Sequence, residues 1–186
     1  MELFDLYTAD REKTGQTMVR GEPVPEGFYR LVVHVCVFNP EGQMLIQRRQ
    51  PFKKGWSGLW DVTVGGCAVA GDSSRSAAER ETREELGLSV DLDGVRPAIT
   101  VHWEHGFDDY YVLTRQVDPE SLRLQYEEVQ AVRWASMDEI LRMIDDGQFI
   151  LYEKSLIGML FFRRNHSGSQ TRGDTTVPSA PLSSSR

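Results

Sequence analysis

The sequence predicts an α+β fold in which a mixed central sheet lies between helices. Three observations lead there. Residues 31–39 (Leu-Val-Val-His-Val-Cys-Val-Phe-Asn) form a β-branched, almost unbroken apolar run, the pattern of a strand buried on both faces. Residues 73–86 read as a helix with a stop signal at each end. Alternating strand and turn patterns lie on both sides of that helix, and two more helical segments close the chain.

Taken in order, residues 2–7 and 14–19 predict an N-terminal hairpin turning at 8–13, and Pro23, Pro25 and Gly27 punctuate the loop that follows. The strand at 31–39 ends in the turn Asn39-Pro40-Glu41-Gly42, and 43–49 returns as its partner. After a loop at 50–58, residues 60–64 predict a short strand running into the glycine turn Gly65-Gly66. The helix at 73–86 takes Asp72 or one of the serines Ser73 and Ser74 as N-cap, because a short side-chain oxygen satisfies an orphan helix amide. Gly87 suits the left-handed position that ends it. Ala78, Thr82 and Leu86 form its inward stripe.

Residues 95–104 and 108–116 read as an antiparallel pair joined around Gly106, and 128–135 as another strand. The segment 136–147 opens with the capping-box pattern Ser136-Met137-Asp138-Glu139 and turns Ile140, Leu141 and Ile144 inward. A last helix is predicted at 151–164, with Leu156, Leu160 and Phe161 in the core. From 165 to 186 the chain is mostly Ser, Thr, Gly and Pro, so disorder is expected there, with one domain over 1–164 whose first 28 residues are the hairpin and its loop.

A chain of 186 residues with 40% hydrophobic and 26% charged side chains can bury a sizeable core as one domain. Its formal net charge of −7 argues against nucleic acid as a partner, since backbone binding rewards clustered Lys and Arg. An anionic small molecule remains compatible, because a bound metal and local arginines invert the field at a site. Cys36 and Cys67 are too few for a disulfide framework. With no long apolar run and no leader pattern, the expectation is a cytoplasmic protein without a membrane partner, a monomer or a homodimer.

The most informative stretch is Arg80-Glu81-Thr82-Arg83-Glu84-Glu85-Leu86-Gly87-Leu88. At 100° per residue, Glu81, Glu84 and Glu85 share about one quadrant of a helix. Like charges at that spacing weaken an isolated helix by roughly a few tenths of a kcal/mol per pair. A hard divalent cation would remove the penalty. Read with Gly66 and Asp72 upstream, this stretch resembles the signature of the Nudix hydrolases, Gly-x5-Glu-x7-Arg-Glu-U-x-Glu-Glu-x-Gly-U, where U is a bulky aliphatic. Asp72 departs from the usual Glu and Thr82 from the usual aliphatic, which touches capping and packing more than chemistry.

The resemblance implies a Nudix-type α/β/α sandwich and hydrolysis of a diphosphate linkage in a nucleoside diphosphate joined to a group X, or in a related organic diphosphate. It implies Mg²⁺ or Mn²⁺ held by Glu81, Glu84 and Glu85 with the Gly65 carbonyl, and Arg80 as a positioning residue. A fourth acidic group is expected among Asp109, Glu127 and Glu128, with Glu128 the family-like placement and Asp108-Asp109 equally readable as an acidic hairpin edge. Arg48, Arg49, Lys53 and Lys54 are placed to meet phosphates, or are surface charge. Phe52, Trp56 and Trp103 are placed to stack on the substrate, whereas Trp60 and Trp134 read as packing. His102 and His105 flank Trp103 without a motif of their own.

A second similarity, from Val37-Phe38-Asn39-Pro40-Glu41-Gly42-Gln43 to Trp56-Ser57-Gly58-Leu59-Trp60, is to the type I isopentenyl-diphosphate isomerases. Gly65 stands where their catalytic cysteine would be, and Cys67 where a metal-binding histidine would be. That substitution favours the hydrolase over the isomerase. A noncatalytic ligand-binding or sensor protein is the third reading, and the intact glutamate set argues against it.

Overall fold

The computed structural model describes residues 2–166. The expected disordered tail therefore lies outside the described residues from position 167 onward. Among the described residues, nine strands and three α-helices run in the order β1 (Leu3–Tyr7), β2 (Lys13–Val19), β3 (Arg30–Phe38), β4 (Met44–Arg49), β5 (Trp60–Asp61), β6 (Val64–Cys67), α1 (Ser74–Leu86), β7 (Ile99–Trp103), β8 (Gly106–Thr114), β9 (Val129–Ala135), α2 (Met137–Asp145) and α3 (Lys154–Arg163). A single 3₁₀ turn, Pro119–Ser121, sits between β8 and β9.

β1 and β2 pair antiparallel as a separate hairpin, and the other seven strands form one mixed sheet. β3 is its centre: it runs parallel to β8 along its whole length and antiparallel to β6 on its other side. The sequence predicts β3 and β4 as hairpin partners, but they share only the Phe38–Met44 pair. Beyond that pair β4 turns away to bond β9 on one edge and β5 on the other. The sheet thus splits into two halves, and residues from both sides of the split line the cleft described below.

The strand expected at 60–64 is two pieces for the same reason. Trp60 and Asp61 pair with β4, whereas Val64–Cys67 pairs with β3, so the chain steps from one half to the other at Val62 and Thr63. Gly65 and Gly66, expected in a turn, lie inside β6. Thr63 secures the step by donating to the Leu45 carbonyl and accepting from the Val37 amide. β7 starts four residues later than expected, after Pro97, which has no N–H for the ladder.

Burial follows the alternation of β3. Leu31, Val33, Val35 and Val37 pack with Ala77, Ala78 and Leu86 of α1. Cys36 and Phe38 pack on the other face with Ile140 of α2 and Ile157 and Leu160 of α3. Burying a side chain such as Leu86 stabilises by roughly 1.5–3 kcal/mol, so both faces of β3 are anchored, as its unbroken apolar run predicts. Thr82 is fully buried in the helix and satisfies its hydroxyl on the Ala78 carbonyl at 2.6 Å, which is how a polar residue replaces an aliphatic there.

The N-cap of α1 is Ser73, which forms a reciprocal box with Ser76, and Gly87 ends the helix at φ 65°. Asp72 instead accepts from Arg80. In α2, Ser136 caps the Glu139 amide, but the Glu139 carboxylate turns to Arg133 at 2.6 Å, leaving the predicted box half closed. Met143 is buried beside Ile140 and Ile144, and Leu141 is only half-buried.

Candidate functional site

α1 is pinned against β3 and β6, so the side chains of its last two turns are delivered to the split in the sheet. The three glutamates there differ sharply in exposure. Glu84 is 48% exposed at its side chain and Glu81 15%, whereas Glu85 is 4% exposed overall. Glu85 accepts a hydrogen bond from Gln47 Nε2 at 2.9 Å, which comes from β4 on the far side of the split. Burial pushes the Glu85 carboxyl up to about 8, and the Gln47 bond offsets this only in part. Burial raises Glu81 as well, with Arg80 opposing.

Arg80 organises the outer part of the cluster. Its Nη1 donates to Glu81 Oε1 and Glu84 Oε2, both at 3.0 Å. Its Nε and Nη2 hold Asp72, and Nη2 also reaches the Cys67 carbonyl at 3.1 Å. The rigid geometry of a planar fork is what allows one side chain to meet three carboxylates and a carbonyl.

β6 carries two glycines with different neighbours, and only one of them meets this cluster. A Cβ built on Gly66 would fall inside the Glu81 carboxyl group. At Gly65 it would meet His34 Nδ1 at 3.1 Å and Asp61 Oδ2 at 4.0 Å. The carboxylate therefore approaches the backbone most closely at Gly66, one residue beyond Gly65.

Glu81, Glu84, Glu85, Arg80 and Gly65 line one cleft of about 670 Å³, together with Arg49, Trp56, Trp103 and Glu128. Each of these was expected at the site from the sequence. Arg48 is the exception and its expected role is corrected. Strand alternation sends Arg48 outward, where its Nε donates to the Gly58 carbonyl, and puts Arg49 on the face of Gln47, where it lines the cleft. Arg49 then lies 3.8 Å from Asp61 Oδ2. Glu128 is paired with Lys53, which also lines the cleft, and Glu127 is exposed outside it. Trp56 is half exposed at φ 52°, a left-handed backbone position for a bulky residue. Trp103 is oriented by a hydrogen bond from Nε1 to Asp108 Oδ1 at 2.8 Å.

Asp109 lies elsewhere. It is fully buried at the N-terminal end of α1, bonded by Arg11, Ser74 and Thr100, each at 2.6 Å. Neither His102 nor His105 lines the cleft; they flank Trp103 on the β7–β8 hairpin, His102 edge-on to Phe107 and His105 edge-on to Trp103. Phe52 packs on Tyr126, and Trp60 carries the Arg133 guanidinium over its ring.

The structure adds residues that motif reading missed. His34, 8% exposed, lies against Tyr110 with neither ring nitrogen hydrogen-bonded. Its Nε2 is 3.4 Å from Asp108 Oδ2, within ion-pair range but outside hydrogen-bonding geometry. Asp61 is buried beside it, its carboxyl raised by burial against the pull of His34, of the Tyr152 hydroxyl at 2.8 Å and of Arg49. Glu2 and Arg20, paired with each other, bring the N-terminal hairpin to the cleft wall, and Arg30 stands beside them. A signal for His34 was available: it is the one charged or ring-polar residue in the apolar run 31–39.

Among the described residues, no three His, Cys, Asp or Glu side chains converge closely enough to grip a metal ion as they stand. Arg80 bridges Glu81 and Glu84 in that role, supplying positive charge between them. The donor chemistry nonetheless fits a hard divalent cation. The available groups are carboxylate oxygens and a backbone carbonyl, and Glu85 is a buried carboxyl with Gln47 as its one side-chain donor.

The family model of the NUDIX domain matches residues 28–154. An uncharacterised Nudix hydrolase of Listeria monocytogenes is 46% identical over 152 residues, covering 82% of this chain and 90% of its own. An isopentenyl-diphosphate Δ-isomerase of Escherichia coli is 30% identical over 147 residues, covering 75% of this chain and 80% of its own. Among solved structures, a Deinococcus radiodurans protein superposes with a TM-score of 0.69 at 25% identity, over 89% of this chain and all of that one.

Proposed function

This chain belongs to the Nudix hydrolase family, and from that premise we propose that it is a divalent-metal-dependent pyrophosphohydrolase acting on a small organic diphosphate, in the class of nucleoside diphosphates joined to a further group X. The observation that carries the reading is Glu85. It is a buried carboxyl at the cleft, beside Glu81 and Glu84, and among the described residues Gln47 is the one side chain that donates to it.

Glu81, Glu84 and Glu85 would hold Mg²⁺ or Mn²⁺, with the Gly65 carbonyl completing the oxygen set. When bound, the cation neutralises phosphate oxygens and lowers the pKa of water in the site. Gln47 fixes the direction of the Glu85 carboxylate from the opposite half of the sheet. Arg80, tied to Asp72, fixes Glu81 and Glu84 and limits their mutual repulsion. One carboxylate of the set takes the proton of the attacking water. Arg49 and Lys53 face the substrate's phosphates, Trp56 and Trp103 offer flat faces to X, and Glu128 is the fourth acidic group at the rim. Residues 1–164 are the catalytic unit in this reading, acting in a reducing cytoplasm that suits two free cysteines.

The isomerase reading is disfavoured at one position. Where those enzymes carry the catalytic cysteine this chain has Gly65, which offers no side chain to the cleft. Cys67 does not replace it: burial raises its thiol, and the sulfur accepts from Arg30 at 3.4 Å.

The test is turnover of a panel of organic diphosphates by purified protein with Mg²⁺ or Mn²⁺, read as released phosphate or monophosphate. We expect metal-dependent release that disappears in Glu85→Gln, with no dimethylallyl diphosphate formed from isopentenyl diphosphate. Tight binding of one compound without turnover would instead establish a sensor.

A further inference from the structure

Five cationic side chains line the cleft: Arg20, Arg30, Arg49, Lys53 and Arg80. Four have a carboxylate within ion-pair distance, namely Glu2 for Arg20, Asp61 for Arg49, Glu128 for Lys53, and Asp72, Glu81 and Glu84 for Arg80. Among the described residues Arg30 has none. Its one side-chain acceptor is the Cys67 sulfur at 3.4 Å, a weak partner for a guanidinium. Its Nε is buried without any partner. A guanidinium cannot shed its proton to relieve this.

The position is nevertheless built. The guanidinium lies over the Trp103 ring, 5.2 Å from its centroid, and Trp103 is itself held by Asp108. The Arg30 amide is fixed to the His105 carbonyl at 3.0 Å. Gly106, opposite Arg30 in the β3–β8 ladder, leaves the room: a Cβ there would meet Trp103 Cζ2 at 2.8 Å. Arg30 also adjoins the acidic cluster. Cys67, which it touches, follows Gly66, which cradles Glu81, and the Cys67 carbonyl accepts from Arg80.

We propose that Arg30, held over the Trp103 ring, is a specificity residue of the cleft that binds the non-bridging oxygens of one substrate phosphate while the other phosphate lies at Glu81, Glu84 and Glu85. The proposal rests on reading that cluster as a divalent-cation site. A planar fork offers paired N–H groups spaced for two phosphate oxygens, and such an anion would supply the partners that Arg30 lacks. Trp103 is then a positioning residue, whose ring holds the guanidinium in the cleft wall.

The test uses the full chain and two probes, methylenebisphosphonate followed by calorimetry and Mn²⁺ followed by electron paramagnetic resonance. We expect Arg30→Ala to weaken bisphosphonate binding by about tenfold or more, with Mn²⁺ affinity and melting temperature as in wild type. Arg30→Lys restores the charge but not the fork and should recover only part of the affinity. Should Arg30→Ala melt early, Arg30→Gln, which keeps the side-chain stem over Trp103, decides by the same criterion. Unchanged bisphosphonate affinity in the deciding variant overturns the proposal, as does a wild type that binds no bisphosphonate. A wild type that binds no Mn²⁺ overturns the cation site instead, and the Arg30 variants are then compared on bisphosphonate without metal.

Discussion

Two buried carboxylates in this protein teach opposite lessons. Asp109 is fully buried and receives Arg11, Ser74 and Thr100, all at 2.6 Å. Its partners come from the N-terminal hairpin, the start of α1 and β7, so it locks three elements together and has nothing left to offer a ligand. Glu85 is almost as buried but has Gln47 as its one side-chain donor, and burial raises its carboxyl to about 8. Both lie against α1, one near its first turn and one in its last. A buried carboxylate saturated by protein donors is a structural joint. One left undersupplied beside two further carboxylates is, on the function proposed above, a site for a cation.

The comparison can be broken most forcefully at Glu85. Glu85→Gln is isosteric and should keep the fold, measured by circular dichroism, yet lower turnover by about a thousandfold or more. Gly66→Ala comes next. Its methyl group would occupy the place of the Glu81 carboxyl, and displacing that group by about an ångström should lower turnover roughly a hundredfold with the melting temperature little changed. Asp109→Asn probes the other carboxylate and should do the reverse, destabilising by about 2–4 kcal/mol in urea unfolding while the remaining folded protein turns over normally. The smallest effect is expected at Arg48→Ala. Its side chain points away from the cleft, so stability should stay within about 0.5 kcal/mol and kcat/KM should match wild type, whereas the same change at Arg49 should raise KM.

What the sequence disclosed and what it hid divides along sequence distance. Arg80, Glu81, Glu84 and Glu85 were legible because their spacing is local and a helix fixes which of them share a face. The caps of α1, the doubly buried β3 and the approximate bounds of most strands were legible for the same reason. Asp61, His34 and Tyr152 were not, because segments far apart in sequence bring them to the cleft, and neither was Gln47, which meets Glu85 from β4; no local pattern specifies that β4 leaves β3 after one residue pair. Arg48 and Arg49 show the limit within a single strand. Alternation says that only one of two neighbours faces the cleft, and which one is settled by Gln47, two residues before Arg49, meeting Glu85 across the split. Asp109 was ambiguous for the opposite reason: an acidic pair on a hairpin does not reveal that one member faces Arg11.

The central claim is that the glutamates of α1 bind a divalent cation, and Mn²⁺ titration followed by electron paramagnetic resonance tests it most directly. Wild type and Asp109→Asn should bind Mn²⁺ alike, and Glu85→Gln should bind it at least about tenfold more weakly. Equal binding by wild type and Glu85→Gln, or none by wild type, would contradict the account.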